Sequence, residues 1–531
     1  MQFTVQRGAL ASAKDEAVVV ALFQGAAKLQ GAAKDIDAAT GGLLTKLLGG
    51  DFKAKRADTI VLYPSGLAAE RLLLVGLGKK EQFGPDAVRI ASAAAAKRLN
   101  GLKVRSYTTT LLGVGTRGVG PEEAAQALVE GAELALYKFD KYRTPEEEEA
   151  EEAKRTEAAE KERLAPKLKA PKVVERITIL LEDGRMAKQA ERGVATAKVI
   201  AESVNFTRDL VNESAKDGTP AAIATRVQDM AKQVGLKCDI YGRKELEKMG
   251  FGALLAVNQG SSNEARFVVL EHNPKGKETL VFVGKGITFD SGGISIKPSA
   301  NMEKMKYDKS GASAVFGALR AAALLGVPQR VVGLCPLTDN VPDGNSYKPG
   351  DVVRAYNGKW IEVINTDAEG RVVLSDALAY ASKNYKPTAV IDLATLTGAC
   401  GVALGNLYIG AMATDRALMA KVRRAGEASH ERVWELPFDE EYDDYFKSDI
   451  ADAKNAGTGQ AGTIVGGRFL KRFVDGAPWV HLDIASTAWD EGSGRAKFNP
   501  EYNIAGSGTG VGVRLLVQLM RDWKSGGRNG R

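Results

Sequence analysis

A chain of 531 residues exceeds what one hydrophobic core organises, so at least two domains are expected. Hydrophobic residues at 44% and charged residues at 26% are ordinary for a folded globular protein and exclude a disordered or fibrous chain. The net charge of +7, from 73 basic and 66 acidic residues, is a modest excess over so large a surface; it permits weak polyanion contact and does not demand it.

The opening MQFTVQRGALASAKDEAVVV lacks the basic start, apolar core and small-residue cleavage site of a secretory signal. No run of about 18 apolar residues follows, so the cytoplasm is the expected compartment. Cys238, Cys335 and Cys400 stand alone with no CxxC pair, which argues against a disulfide framework or a thiolate zinc site and makes each an expected small core residue. His272, His430 and His481 are far apart with no HExxH or HxH spacing, so any metal site must be mostly oxygen-ligated.

From residue 18 short apolar runs alternate with amphipathic ones: AVVVALF, TIVLYP, RLLLVGLG, an Ala-rich helical stretch near 91–99, and YTTTLLGVG. This alternation predicts an α/β domain over residues 1–185. Within it, residues 145–172 form a charged insert with almost no apolar residues, read as an exposed helical or disordered segment. ERITILLED resumes as a strand, and residues 186–210 read as a long amphipathic helix linking two domains. The larger second domain, residues 211–531, begins with a helix at 221–234. The strands RFVVLEH, TLVFVG, RVVGLCPL, AVIDLAT and WVHLDIA follow, with helices at 310–325 and 375–382 among them. Such continuous apolar strands predict a mostly parallel sheet covered by helices on both faces, with ligands beyond the carboxyl ends of the strands.

Charged residues cluster where those strands end. TLVFVG runs directly into Lys285, Asp290 and Lys297, and Asp308 precedes the helix at 310, where a plain helix cap is the competing reading. In NTDAEGR, residues 365–371, Asp367 and Glu369 stand two apart, so in an extended segment both face one side. Carboxylates so placed repel each other unless something positive lies between them. Asp290, Asp308, Asp367 and Glu369 together offer enough oxygens for two hard divalent cations roughly 3.5–4 Å apart, and hydrolysis is the chemistry such a pair supports. A serine-protease reading of DSGG fails for want of a β-barrel pattern and a partner histidine.

VGKGITFDSGG, the following Lys297, MKYDKSG and NTDAEGR, in that order, resemble the leucine aminopeptidase (cytosol aminopeptidase) family of dinuclear metallopeptidases. The resemblance extends from about residue 205 to 515 and includes TLTGA and WVHLDIA, while the N-terminal domain matches only in its α/β pattern. It implies Lys285, Asp290, Asp308, Asp367 and Glu369 as ligands of two Zn or Mn ions, with Asp290 and Glu369 bridging. Lysine coordinates only when neutral, so the ions must depress the Lys285 pKa. Lys297 would polarise the scissile carbonyl, and Arg371 would hold a bicarbonate ion that relays the water's proton. Met305, Thr395, Leu396, Gly398 and Ala488 would surround the first side chain of the peptide substrate. The resemblance further implies release of leucine-like N-terminal residues by a homohexamer. The alternative from another class is a DNA-binding accessory protein on the same fold, which the pI near 9.0 permits. Two features depart from the family: Lys309, which would weaken metal binding if it pointed at the ions, and the insert at 145–172.

Overall fold

The computed structural model describes residues 1–26, 28–144, 174–490 and 497–523. The charged insert expected at 145–172 lies outside the described residues. The chain divides into two compact units, Met1–Ala201 and Glu202–Arg531.

In the first unit, strands β1 (Gln2–Arg7), β2 (Ala17–Leu22), β3 (Thr59–Leu62), β4 (Arg71–Gly76), β5 (Ser106–Thr110) and β6 (Arg176–Leu181) form one sheet. Their order is β1-β6-β5-β2-β4-β3, parallel throughout except for β3 against β4. Among the described residues, α1 (Ala32–Ala39), α2 (Leu43–Gly49), α3 (Pro85–Gly101) and α4 (Pro121–Ala135) accompany them. Side chains alternate across the sheet as a strand requires. Val19, Leu73 and Val75 pack with α3 and α4 on one face, while Val18, Val20, Leu72 and Leu74 pack with Ile36 and Leu44 on the other.

Helix α5 (Ala187–Asn212) runs across the division between the units. The second unit continues with α6 (Pro220–Val234), β7 (Lys237–Tyr241), α7 (Arg243–Met249), α8 (Gly252–Val257), β8 (Arg266–His272), β9 (Thr279–Gly284), β10 (Gly286–Asp290), α9 (Ser310–Leu325) and β11 (Arg330–Asn340). Then come β12 (Val352–Arg354), β13 (Trp360–Glu362), α10 (Glu369–Tyr385), β14 (Ala389–Ala394), α11 (Gly398–Leu404), β15 (Ile409–Ala413), α12 (Arg416–Ser429), β16 (Val433–Glu435), β17 (Ala453–Lys454), α13 (Gly462–Lys471), β18 (Trp479–Asp483) and α14 (Val513–Asp522). The main sheet runs β16-β15-β18-β14-β9-β11-β8-β7, with β10 beside β11. Its centre, β18-β14-β9-β11, is parallel, and antiparallel pairs flank it at β8 and β15.

Both faces of that parallel centre are dry, which is why Leu280 to Val283 are all fully buried. Helix α10 packs on one face through Val372, Val373 and Ala377 against Val281 and Val332. Helix α9 covers the other, close enough that a Cβ on Gly284 would lie 2.5 Å from Ala312 Cα. Cys335 and Cys400 are buried as expected; Cys238, on the edge strand β7, is only half-buried. Among the described residues no helix is long and apolar enough to cross a membrane.

Candidate active site

One edge of the main sheet collects the charges. Lys285 follows β9, Asp290 ends β10, Asn340 ends β11, Thr395 follows β14 and Asp483 ends β18, so parallel strands deliver five polar side chains to one rim. The Lys285 N–H donates to Leu393 O at 3.0 Å, which holds the lysine in line with the sheet.

Asp290, Asp367 and Glu369 each bring a carboxylate oxygen within 4.8 Å of the others. The Lys285 amine closes the group, 2.7 Å from Asp308 Oδ2 and 2.9 Å from Glu369 Oε1, and it also donates to Thr395 O at 2.9 Å. Lys297 lies 2.9 Å from Asp290 Oδ2 and pairs with Asp367 Oδ1. The four residues Lys285, Asp290, Asp308 and Glu369 have side chains no more than 9% exposed, whereas Lys297 and Asp367 are 20% and 33% exposed. Solvent therefore reaches the cluster from the Lys297 and Asp367 side.

One competing reading falls and one expectation about local geometry changes. Asp308 is no helix cap: its carboxylate turns away from α9, accepts from Lys285 Nζ at 2.9 Å and from Thr395 Oγ1 at 2.7 Å, and the helix opens behind a 3-10 turn, Met302–Lys309. Asp367 and Glu369 do not lie along an extended strand. Glu369 is the first residue of α10, and the turn at Ala368 makes the two carboxylates converge. A carboxylate at a helix N-terminus is also favoured by the backbone dipole.

Glycines make the approach possible. Gly292 sits at φ +89, and a Cβ there would meet Ser295 O at 2.5 Å and Asp367 Oδ1 at 2.9 Å. At Gly370 a Cβ would lie 2.5 Å from Lys285 Cε, so the lysine stem lies directly over the start of α10.

The electrostatics follow from crowding. Burial, then Asp290, pushes the Glu369 carboxyl up to about 8, and burial raises Asp308 to about 6. Asp367 is raised by burial and by Asp290. Burial opposes the Lys285 ammonium, but Asp308, Glu369 and Asp290 outweigh it and hold the amine above the usual lysine range. Lys297 is raised in the same way by Asp290, Glu369 and Asp367. Arg371 is buried on α10 and drawn down to about 10 by desolvation, against the pull of Glu369 and Asp483, and its Nε has no hydrogen-bond partner among the described residues.

This donor set fits divalent cations. Asp308 Oδ2, Asp367 Oδ1 and Glu369 Oε1 are buried without a well-directed hydrogen bond among the described residues, and the lysine ammonium groups are the charges nearest them. Hard carboxylate oxygens in excess of the available donors suit a doubly charged ion.

Of the substrate-pocket residues, Thr395 touches the cluster through Asp308 and Lys285. The Leu396 N–H donates to Asp483 Oδ1 at 3.2 Å, and Gly398 is exposed at the start of α11. Met305 is half-buried on the turn before Asp308, and Ala488 is buried with its carbonyl accepting from Thr509. Lys309 points away from the cluster: its amine donates to Lys306 O at 2.5 Å and Glu213 O at 3.3 Å, 1% exposed. Its amine thus spends its hydrogen bonds on backbone carbonyls rather than on the ligand carboxylates.

Sequence reasoning missed Asn340, Thr366 and Asp483. Thr366 Oγ1 donates to Gly292 O and accepts from Ser295 N, which ties the DSGG segment to NTDAEGR. Asp483 accepts from Thr397 Oγ1 at 2.7 Å and from the Leu396 and Ala485 N–H groups. The available signal was position, since Asn340 and Asp483 are polar residues closing apolar strands, like those that were chosen.

Comparison with known proteins agrees with this geometry. The family model described as the cytosol aminopeptidase family, catalytic domain, matches residues 205–517, and the N-terminal domain of the same family matches residues 19–146. A probable cytosol aminopeptidase of Roseiflexus castenholzii is 44% identical over 477 residues, 89% of this chain and 92% of its own length. One from Geotalea uraniireducens is 43% identical, covering 92% of this chain and 93% of its own length. Among solved structures, a tomato leucine aminopeptidase mutant superposes with a TM-score of 0.82 at 30% identity, covering 98% of this chain and 96% of that one. The bottromycin maturation enzyme BotP in complex with Mn gives 0.80 at 32%, covering 95% and 99%. These findings favour the peptidase over the DNA-binding alternative. The chain belongs to the cytosol aminopeptidase family and is a metallo-aminopeptidase with that family's two-domain α/β fold.

Proposed function

We propose that the chain is a leucyl aminopeptidase in which Lys285, Asp290, Asp308, Asp367 and Glu369 hold two divalent ions, Zn or Mn, and release leucine-like residues from peptide N-termini. The observation that carries this reading is the convergence of Asp290, Asp367 and Glu369 within 4.8 Å of one another, with the buried Lys285 amine 2.9 Å from Glu369. When bound, such ions acidify a water, polarise the peptide carbonyl and take up the free amine. Metal affinity follows the Irving–Williams order and favours zinc, while an oxygen-rich ligand set also suits manganese, so supply decides between them. The complex of BotP with Mn supports a manganese-competent site.

Lys285 must lose its proton to serve as a ligand, and the charge of the ions supplies the force that the carboxylates alone oppose. Lys297 stays charged and, on the open side of the cluster, is the cation placed to stabilise an oxyanion developing on the substrate. Arg371, with a free Nε among the described residues, is the cation suited to hold a bicarbonate ion near Glu369. Such an anion would serve as the proton relay, since none of the three histidines supplies a base here; His481 is tied to Asp392 at 2.6 Å. Thr395, Leu396, Gly398, Met305 and Ala488 form the proposed pocket for the first side chain. A cytoplasmic homohexamer completes the reading, and no DNA contact is assigned.

Hydrolysis of leucine amide tests the proposal. Activity should vanish on chelation, return with Zn or Mn, and fall by at least about 100-fold in Asp367→Asn. Hydrolysis that persists through chelation and in the variant would overturn the two-metal reading.

A further inference from the structure

We infer that Asn340 is a positioning residue of the metal centre, whose side-chain amide binds Asp290 and Glu369 together and presets the spacing in which they receive cations. The inference rests on the metal-centre reading above.

Asn340 is the last residue of β11 and is 1% exposed. Its Nδ2 donates to Asp290 Oδ1 at 2.8 Å and to Thr366 O at 3.0 Å, and lies 3.5 Å from Glu369 Oε2. All three neighbours are acceptors, so the amide is locked with its nitrogen toward the cluster and cannot be reversed without setting oxygen against two carboxylates. The backbone holds the residue equally firmly. Asn340 is the register partner of Asp290, and its carbonyl accepts from both the N–H and the hydroxyl of Ser291 at 2.9 Å.

Three ligand-bearing segments therefore meet on one amide: the end of β10 through Asp290, the NTDAEGR turn through Thr366, and the start of α10 through Glu369. Its neutrality matters. A cationic donor here would satisfy the carboxylates outright and compete with the ions, whereas an amide orients them and leaves their charge in place.

A second observation argues against a packing role. Asn340 Oδ1 is buried without a hydrogen-bond partner among the described residues and faces Gly293, where a Cβ would come within 2.7 Å of it. An unpaired buried acceptor is a cost that a leucine of similar size would avoid if filling space were the only task. The fold retains the amide at that cost because its other end serves the carboxylates.

The test uses the full-length protein, with Mn or Zn affinity read by competition against a chromogenic chelator and unfolding temperature read on the chelated protein. Asn340→Leu is expected to weaken cation binding about 10- to 100-fold, the range seen when outer partners of ligands are removed. A residue with only a structural role would lower the unfolding temperature of the chelated protein and leave the affinity of the folded protein unchanged. Affinity within twofold of wild type in Asn340→Leu overturns the inference while the metal-centre reading stands. Wild-type protein that binds no cation overturns both. Should Asn340→Leu fail to fold, Asn340→Ala, which removes the amide and adds no bulk, is read by the same criteria.

Discussion

Lys285 faces two demands at once: its amine pairs with Asp308 and Glu369, and its stem lies across Gly370. The glycine of NTDAEGR is thereby explained by space, since its missing Cβ would stand 2.5 Å from Lys285 Cε and 2.7 Å from Nζ. Those atoms are the far end of a flexible side chain, so Gly370→Ala should change stability by less than about 1 kcal/mol. Displacing the amine by about an ångström should nevertheless lower kcat/KM roughly 100-fold. Gly311 provides the contrast, because a Cβ there meets Leu393 O at 2.1 Å, a backbone atom of the sheet. Gly311→Ala should cost about 1–3 kcal/mol. Urea unfolding and leucine amide kinetics on the two variants separate the effects; equal stability losses would contradict this account of Gly370.

The elements act mainly through their ends. Parallel strands buried on both faces leave their carboxyl termini as the place where polar side chains emerge without breaking the core, and β9, β10, β11, β14 and β18 all use it. Helix α10 is anchored from below by Asp376, which accepts from the Leu254 and Tyr356 N–H groups at 2.8 Å each. Burial pushes that carboxyl up to about 7, against the pull of those N–H groups. The folded chain thus keeps a proton there that the unfolded chain releases near pH 3.9, the ordinary aspartate value. Stability from this site falls as pH rises from about 4 to 7. Asp376→Asn cannot titrate, so the stability margin of wild type over the variant should shrink across that interval in urea unfolding; a margin that grows with pH would contradict it. The strands and the ligand residues were legible because apolar runs end abruptly in charge, as TLVFVG does at Lys285. The convergence of Asp367 with Glu369 was legible, but its route through a helix-initiating turn was not, since residue spacing alone does not distinguish a strand from a helix start. Asp308 looked like a cap from its position before α9; only the approach of Lys285 and Thr395 shows where its carboxylate turns. Asn340 was legible only as a polar residue closing an apolar strand, because nothing in RVVGLCPLTDN indicates that β11 ends beside β10. The direction of Lys309 likewise depends on Glu213, 96 residues away, whose carbonyl it meets.

For the whole molecule, the proposed homohexamer is the association to test first. Light scattering should give a mass six times the 56.5 kDa of one chain; a monomer at micromolar concentration would contradict the proposed hexamer. The central claim is more local, that carboxylates and one lysine in a chain with three scattered histidines take two cations. Equilibrium dialysis against Zn or Mn followed by elemental analysis tests it most directly. Wild type should retain two ions per chain and Asp367→Asn one or none at the same free metal concentration. Wild type that retains none, or Asp367→Asn that retains both, would contradict the account.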